Sequence, residues 1–370
     1  MTFRKLLLPL LMCWTSALHA AAIDPLTVDI DATDALRFAQ LMKNGALPNA
    51  ADLQYGYLDG AGLGVKIFTP MRIVDARRLA RVVAARPDLY RQAIRDCLPQ
   101  LPALRSDLRA IYLAFAGLLP QRPLPPIMVV FGAGNSGGTA SAEAQVIGLE
   151  VTCSLGATPQ QFRTTMRGFF AHETVHTWQR DATPQAQADP LLTQSLLEGV
   201  ADYLASVVTG EVPGPDRDQW ARGREAWLWR EFQHDRQTML TDPDSPRFKR
   251  WFANYGAAPE GWPSEAGYWI GMRIAEAYVA RSPDKRAAMD ALIELRDPAA
   301  ILDASGYGRD FNPAQITAEV TAGVRSDIRT RALRCIVSRS RRNETRACWR
   351  CCPTDPYKIT KAEAVSKCQT

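Results

Sequence analysis

Residues 169–203 constrain the fold of this chain more than any other stretch. Within them, residues 172–176 form a His-Glu-x-x-His pattern inside an apolar segment that has helical spacing. On a helix, His172 and His176 lie one turn apart on the same face, so both imidazoles can reach one metal ion. Burying these polar groups without partners would be costly, because they lose their contacts with water. The stretch therefore predicts a helix that carries a zinc site.

A third ligand is expected on a second helix, which begins after a polar loop. Glu198 follows His176 after 21 intervening residues, a distance that allows the chain to turn back. A third histidine six residues beyond the pattern is excluded, because Ala182 lies there. We therefore assign the third ligand to Glu198. Asp202, one helical turn later, would accept the outer N–H of a ligating imidazole and fix its orientation.

Three protein ligands and an open position are typical of catalytic zinc, whereas structural zinc is usually enclosed by four ligands. The expected cofactor is one Zn²⁺ ion. Glu173 would take a proton from the attacking water and pass it to the leaving group. The developing oxyanion also needs a hydrogen-bond donor. We assign this role to Tyr268, which is flanked by glycines, with Tyr203 and His234 as the other candidates.

Two apolar segments, residues 127–131 and 145–151, are predicted to be strands. Between them, residues 132–137 match the G-x-G-x-x-G pattern of dinucleotide-binding folds. That pattern requires a helix directly after the glycines, whereas a second predicted strand follows here. We therefore interpret residues 132–138 as a loop between two strands. In a peptidase, an edge strand at this place would hold an extended substrate by main-chain hydrogen bonds.

Helices are predicted through most of the remaining chain, because apolar residues recur at three- and four-residue spacing. The predicted helices are residues 34–42, 72–85, 87–98, 101–119, 159–180, 191–208, 220–240, 267–280 and 285–295. The expected fold class is α+β, mainly α. We expect a signal peptide at residues 1–22, one folded domain at residues 23–324 and a basic, cysteine-rich tail at residues 325–370.

The amino terminus predicts export. Arg4 and Lys5 precede a short apolar run, and small residues follow at positions 20–22, as in a secretory signal peptide cleaved after Ala20 or Ala22. The apolar run is too short to span a membrane. A lipid anchor at Cys13 is a weaker alternative, because the large Met12 stands where a small residue is wanted. The expected location is periplasmic or secreted.

The tail carries most of the positive charge. From residue 325 onward there are 12 Lys and Arg against 4 Asp and Glu, so the body is mildly acidic although the whole chain has a net charge of +5. We therefore expect no nucleic-acid partner, and membrane contact only through the basic tail. Cys97 and Cys153 lie in the body and are candidates for a disulfide. The tail holds five more cysteines, Cys335, Cys348, Cys351, Cys352 and Cys368, for which disulfides are favoured over metal binding.

Four pieces of the chain together carry a family resemblance. They are Gly-Gly-Thr at residues 137–139, His-Glu-Thr-Val-His at 172–176, Leu-Glu-Gly-Val-Ala-Asp-Tyr at 197–203, and Gly-Tyr-Trp-Ile-Gly at 267–271. In order and spacing they resemble the predicted zinc-dependent proteases of exported bacterial proteins, a gluzincin-like domain family of unknown function. The resemblance covers residues 23–308. It implies a zincin-like metallopeptidase fold with a small sheet beside the active-site helix.

The sequence and the resemblance together predict a zinc metallopeptidase that acts on a peptide or protein substrate. Two alternatives remain at this stage. One is a binding or assembly protein that keeps the metal but cleaves nothing, and the other is a zinc hydrolase of non-peptide amides or esters. The presence of Glu173 favours an enzyme, because a scaffold would need the histidines but not the base.

Overall fold

The computed structural model describes residues 23–156 and 158–312, together with Glu319. The predicted signal peptide at residues 1–22 and the basic tail at residues 325–370 lie outside the described residues. The same holds for the five tail cysteines. None of the helices in the described ranges combines the length and the apolar character that crossing a membrane requires.

Helices make up most of the described chain, and several are joined by 3₁₀ or π-helical turns. They are α1 (Thr33–Leu41), α2 (Ala50–Leu53), α3 (Leu63–Phe68), α4 (Ala76–Ala85), α5 (Pro87–Gln92), α6 (Arg105–Leu118), α7 (Leu149–Leu155), α8 (Pro159–Trp178), α9 (Pro184–Gln187), α10 (Pro190–Thr209), α11 (Pro215–Arg222), α12 (Glu225–Thr241), α13 (Phe248–Trp251), α14 (Ala266–Arg281), α15 (Lys285–Glu294) and α16 (Pro298–Ser305).

The described strands form one small mixed sheet. They are β1 (Ile30–Asp31), β2 (Ile127–Val130), β3 (Gly138–Ala140) and β4 (Gln145–Gly148), in the spatial order β1-β2-β4-β3. β1, β2 and β4 are parallel, whereas β3 pairs antiparallel with β4 at the edge of the sheet. The predicted α+β, mainly helical class is confirmed. The predicted loop at residues 132–138 follows β2, but its last residue, Gly138, already belongs to β3, a short strand that was not predicted.

The predicted strand at residues 145–151 is wrong in its second half. β4 ends at Gly148, and α7 begins at Leu149. The fully buried carboxylate of Glu150 accepts hydrogen bonds from the backbone N–H groups of Gly132 and Gly134, both at 3.0 Å. Burial raises the pKa of Glu150, and these hydrogen bonds partly offset the rise. A contact between distant residues thus stabilises a helical turn where local composition favours a strand.

A second difference concerns the predicted helix at residues 220–240. The structure divides this stretch between α11, which ends at Arg222, and α12, which starts at Glu225. Gly223 follows the last residue of the first helix, and glycine disfavours a helix by about 1 kcal/mol relative to alanine. α11 packs against α14, which matters for the site described below.

The predicted pairing of Cys97 with Cys153 is confirmed. A disulfide joins the π-helical turn at Ala93–Cys97 to α7, across 56 residues of sequence. The disulfide lies beside the sheet and on the amino-terminal side of α8, so it links the early helices to the segment that leads into the site helix. An oxidised pair also agrees with the predicted export.

A buried ion pair helps to hold α8 in place. Asp107 on α6 accepts hydrogen bonds from Arg163 and Arg167, which lie one turn apart on α8. Burial by itself raises the pKa of Asp107, but the two guanidinium groups outweigh it and hold the pKa below its usual value. Arg167 also pairs with Glu211 beyond the end of α10. The amino-terminal half of α8 is therefore fixed to both neighbouring elements.

The closest backbone contact in the core joins α10 to α14. A Cβ atom added to Gly271 would overlap the carbonyl oxygen of Ser195, and one added to Gly199 would overlap the backbone of residues 271 and 272. Glycine at both positions is what allows the two helices to touch backbone to backbone. Gly199, the residue after Glu198, therefore contacts α14 and not the histidine-bearing helix α8.

We expect Gly271→Ala to destabilise the protein by about 1–3 kcal/mol or more, because the new methyl group forces α10 and α14 apart. The matched control is Gly168→Ala on α8, where an added Cβ meets no atom within 4 Å. That change should be neutral or stabilising by up to about 1 kcal/mol, since alanine favours a helix. Urea unfolding of both variants checks the pair, and equal stabilities would contradict the packing argument.

Candidate metal centre

The candidate centre lies between α8 and α10. His172 Nε2 and His176 Nε2 are 2.9 Å apart, and Glu198 Oε2 lies 3.3 Å from the first and 3.2 Å from the second. The three atoms form a nearly equilateral triangle. Within the described ranges, these three residues are the one group whose ligand atoms are clustered closely enough to hold a metal ion.

The size of this triangle fits zinc. For tetrahedral zinc with bonds of about 2.0–2.1 Å, two ligand atoms are separated by about 3.3 Å. The three observed separations differ from that value by a few tenths of an ångström. Two imidazoles and a carboxylate are also a ligand set that suits zinc. The residues therefore fit a single zinc ion with an open coordination position.

The first histidine is oriented by a carboxylate. His172 Nδ1 lies 2.9 Å from Asp202 Oδ1, so Nδ1 carries the proton shared with Asp202 and Nε2 faces the other ligands. The second oxygen of Asp202 accepts a hydrogen bond from Arg217 at 2.5 Å. Asp202 thus lies where the sequence predicted, one helical turn beyond Glu198, and its contact matches the expected role.

The second histidine and the glutamate are oriented by amides. His176 Nδ1 lies 2.7 Å from Gln179 Oε1, and the amide nitrogen of Gln179 donates to the carbonyl oxygen of Leu197 at 2.9 Å. Gln194 donates to Glu198 Oε1 at 3.0 Å, which leaves Oε2 facing the histidines. Each of the three ligands therefore has an outer partner that fixes which atom points inward.

The electrostatics of the three groups are coupled. Burial raises the pKa of Glu198, but the facing His176 and His172 lower it well below its usual range. For His172, burial lowers the pKa, whereas hydrogen bonds that the imidazole donates to the carboxylates of Asp202 and Glu198 reverse that effect and raise the pKa well above its usual value. The cluster therefore favours positive charge at its centre, as a cation site must.

Glu173 lies beside the ligands but is not one of them. Its side chain is buried, and a Cβ atom added to Gly138 of β3 would overlap its carboxylate. Burial raises the pKa of Glu173, while the charges of His176 and His172 lower it. Glycine at position 138 therefore allows the edge strand to approach the carboxylate, and Glu173 lies between the metal ligands and the sheet.

Tyr268 lies against the first histidine. Its ring stacks on His172 with the centroids 6.0 Å apart and an angle of 13° between the planes. Burial raises the pKa of its phenol well above the usual value, and the charge of Glu198 adds to this rise, so the hydroxyl stays protonated and able to donate. The structure therefore brings Tyr268 to the site, as predicted.

The other two candidate donors lie elsewhere. Tyr203 is half-buried on α10, where burial and the charge of Glu276 raise its pKa. His234 is exposed on α12. In the part of the chain that the structure describes, neither one hydrogen-bonds to His172, His176 or Glu198.

Three residues of the site were missed by sequence reasoning. Gln194 and Gln179 carry a local signal, because they lie four residues before Glu198 and three after His176, where helical neighbours meet. Arg217 carries none. It reaches Asp202 from α11, a separate helix, and only the packing of α11 against α14 places it there.

Comparison with family models gives one match. Residues 81–309, well over half of the 370-residue chain, match the family described as gliding motility protein GldB. The matched region includes all of the site residues from His172 to Tyr268. Neither the curated proteins nor the solved structures contain a match to this chain.

This match corrects three predictions made from the sequence. The chain does not fall in the predicted family of zinc-dependent proteases, and the predicted function of a metallopeptidase is overturned with it, as is its description as a protease. The reason is physical: the pattern at residues 172–176 and Glu198 specify how a metal ion is held. They carry no information about what the surrounding surface binds.

Proposed function

The chain belongs to the family of gliding motility protein GldB, and from this premise we propose that it is an envelope-associated component that binds one zinc ion at His172, His176 and Glu198. In this role the ion fixes α8 against α10 and so stabilises a surface that other proteins of the assembly recognise. The convergence of three ligand atoms within 2.9–3.3 Å is the observation that carries the proposal.

The zincin-like arrangement is part of this proposal. Two observations support it: α8 packs against β3 and β4, and the edge strand β3 reaches Glu173 at Gly138. A sheet that lies along a metal-binding helix keeps that helix straight and its ligands in register. The same sheet would limit access to the ion to one side.

Substitutions at the site should lower zinc affinity according to whether the residue is a ligand, a partner of a ligand or neither. We expect Glu198→Ala to lower zinc affinity more than 100-fold, and Asp202→Ala to lower it about 10–100-fold, because Asp202 acts only through His172. Glu173→Gln is the matched control and should bind zinc within a few-fold of wild type, since Glu173 is not a ligand. Metal content and chelator competition measure the series. Wild-type protein that takes up no zinc would overturn the centre, and full affinity in Glu198→Ala would overturn the ligand assignment.

Envelope attachment is the second part of the proposal. The matched family is one of lipoproteins. Cys13 follows an apolar run beginning at Leu6, so a lipid on this cysteine would anchor the exported chain. This proposal replaces cleavage after Ala20 or Ala22, which would remove Cys13 with the signal.

Replacing Cys13 tests the anchor. We expect the wild-type chain to fractionate with membranes and to partition into detergent, and Cys13→Ser to lose both properties, because the hydroxyl cannot carry the thioether-linked lipid. Cys335→Ser, which also removes one thiol from the chain, is the control and should remain membrane-bound. Equal membrane recovery of all three proteins would contradict anchoring at Cys13.

A second candidate function is hydrolysis of an ester or non-peptide amide, and the position of Glu173 favours it. A scaffold needs the three ligands, but it does not need a buried carboxylate beside them. Zinc, when bound, would polarise water and stabilise negative charge. Glu173 would take the proton from that water, and the Tyr268 hydroxyl would donate to the developing oxyanion.

An esterase assay decides between the two functions. If the centre is hydrolytic, the zinc-loaded chain should hydrolyse 4-nitrophenyl acetate, and Glu173→Gln should reduce turnover about 10²–10⁴-fold while zinc remains bound. Glu143→Gln, an exposed glutamate on the turn between β3 and β4, is the control and should keep full activity. If turnover is no higher in the zinc-loaded than in the metal-free protein, the hydrolytic function is overturned and only the binding role remains.

A further inference from the structure

Arg217 is a partly buried cation on the outer side of the candidate centre, behind Asp202. It lies in the first turn of α11, and its side chain is 12% exposed. Its Nη2 donates to Asp202 Oδ2 at 2.5 Å, while the other oxygen of Asp202 faces His172. Each oxygen of Asp202 therefore has one partner, so the carboxylate cannot rotate away from the imidazole without breaking a buried ion pair.

The guanidinium also contacts the second ring of the site. It lies over the face of Tyr268, with Cζ 5.0 Å from the ring centroid. The same tyrosine ring also stacks on His172. Arg217 thus touches two of the groups that contact His172, namely Asp202 through a charge pair and Tyr268 through a cation–π contact.

A third contact links Arg217 to a strained segment. Its Nη1 donates to the carbonyl oxygen of Glu265 at 3.4 Å. Glu265 has φ 59° and Ala253 has φ 53°, values that cost a non-glycine residue roughly 1–3 kcal/mol each. The carboxylate of Glu265 accepts hydrogen bonds from the N–H groups of Ala253 and Asn254, and Asn254 Oδ1 accepts one from Glu265 N. Ala253, Asn254 and Glu265, which we call the clasp, are hydrogen-bonded to one another and so join the two ends of residues 253–265.

From these contacts we propose that Arg217 is a positioning residue of the metal centre, and that it couples the orientation of His172 to the clasp. The inference rests on the proposed zinc site. Arg217 acts through Asp202 and Tyr268 and touches no ligand atom itself. Its planar guanidinium can serve Asp202, Tyr268 and Glu265 at once, whereas a lysine ammonium would pair with Asp202 alone.

The test uses Arg217→Gln and Arg217→Lys in the mature full-length chain. Arg222→Gln is the matched control, because Arg222 lies on the same helix and pairs with Asp218 instead. The measurements are zinc affinity by chelator competition, the visible spectrum of the cobalt-substituted protein, and amide hydrogen exchange at residues 253–265 with and without zinc.

We expect Arg217→Gln to weaken zinc binding about 10–100-fold, to shift the cobalt bands and to speed exchange at the clasp. Arg217→Lys should recover most of the affinity but not the slow exchange, since only the charge pair is restored. Arg222→Gln should match wild type in all three measurements.

The outcomes separate this inference from the proposed function. If wild type binds no zinc, the proposed centre fails and the assignment of Arg217 fails with it. If wild type binds zinc and Arg217→Gln has the same affinity and cobalt spectrum, only the assignment of Arg217 is overturned. Equal losses in Arg217→Gln and Arg222→Gln would also overturn it, because the effect would then belong to α11 as a whole.

Discussion

The backbone contact between α10 and α14 is the constraint on which the candidate centre depends. Gly199 and Gly271 allow the two helices to touch, and neither position tolerates a Cβ atom without displacement. Glu198 lies immediately before the contact on α10, and Tyr268 lies one turn before it on α14. The contact therefore sets how far the third ligand and the stacked tyrosine stand from the histidines of α8. It is a steric constraint and does not depend on the metal.

A second principle shapes the site: buried polar groups need partners. Each ligand has an outer hydrogen bond: His172 donates to Asp202, His176 donates to Gln179, and Glu198 accepts from Gln194. Asp202 has its own partner in Arg217. These partners stabilise the network, because an unpaired polar group in the interior loses its hydration without return. Among the described residues of this network, the buried Nε of Arg217 has no hydrogen-bond partner. These hydrogen bonds explain why one atom of each of the three ligands faces the centre.

The family and the motif point to different functions because they reflect different parts of the molecule. Coordination chemistry fixes the types and the spacing of the ligand residues within two helices, and both can be read from the sequence. What an envelope protein recognises depends on the surface around the centre, which the motif does not encode. The match to gliding motility protein GldB therefore corrects the peptidase prediction without removing the metal-binding geometry. A zinc site can serve a structural surface or a hydrolytic one, and Glu173 is the residue that distinguishes them.

The sequence by itself determined what depends on neighbours along one helix. The pairing of His172 with His176, the helix that follows with Glu198 and Asp202, and the mainly helical class all come from a period of 3.6 residues. The tertiary structure alone decided the contacts between segments far apart in the chain. Arg217 meets Asp202 across 15 residues, and Glu150 turns a predicted strand into a helix by bonding to the loop that follows β2. The reason is that local periodicity specifies which face a residue occupies, whereas only packing specifies what that face meets.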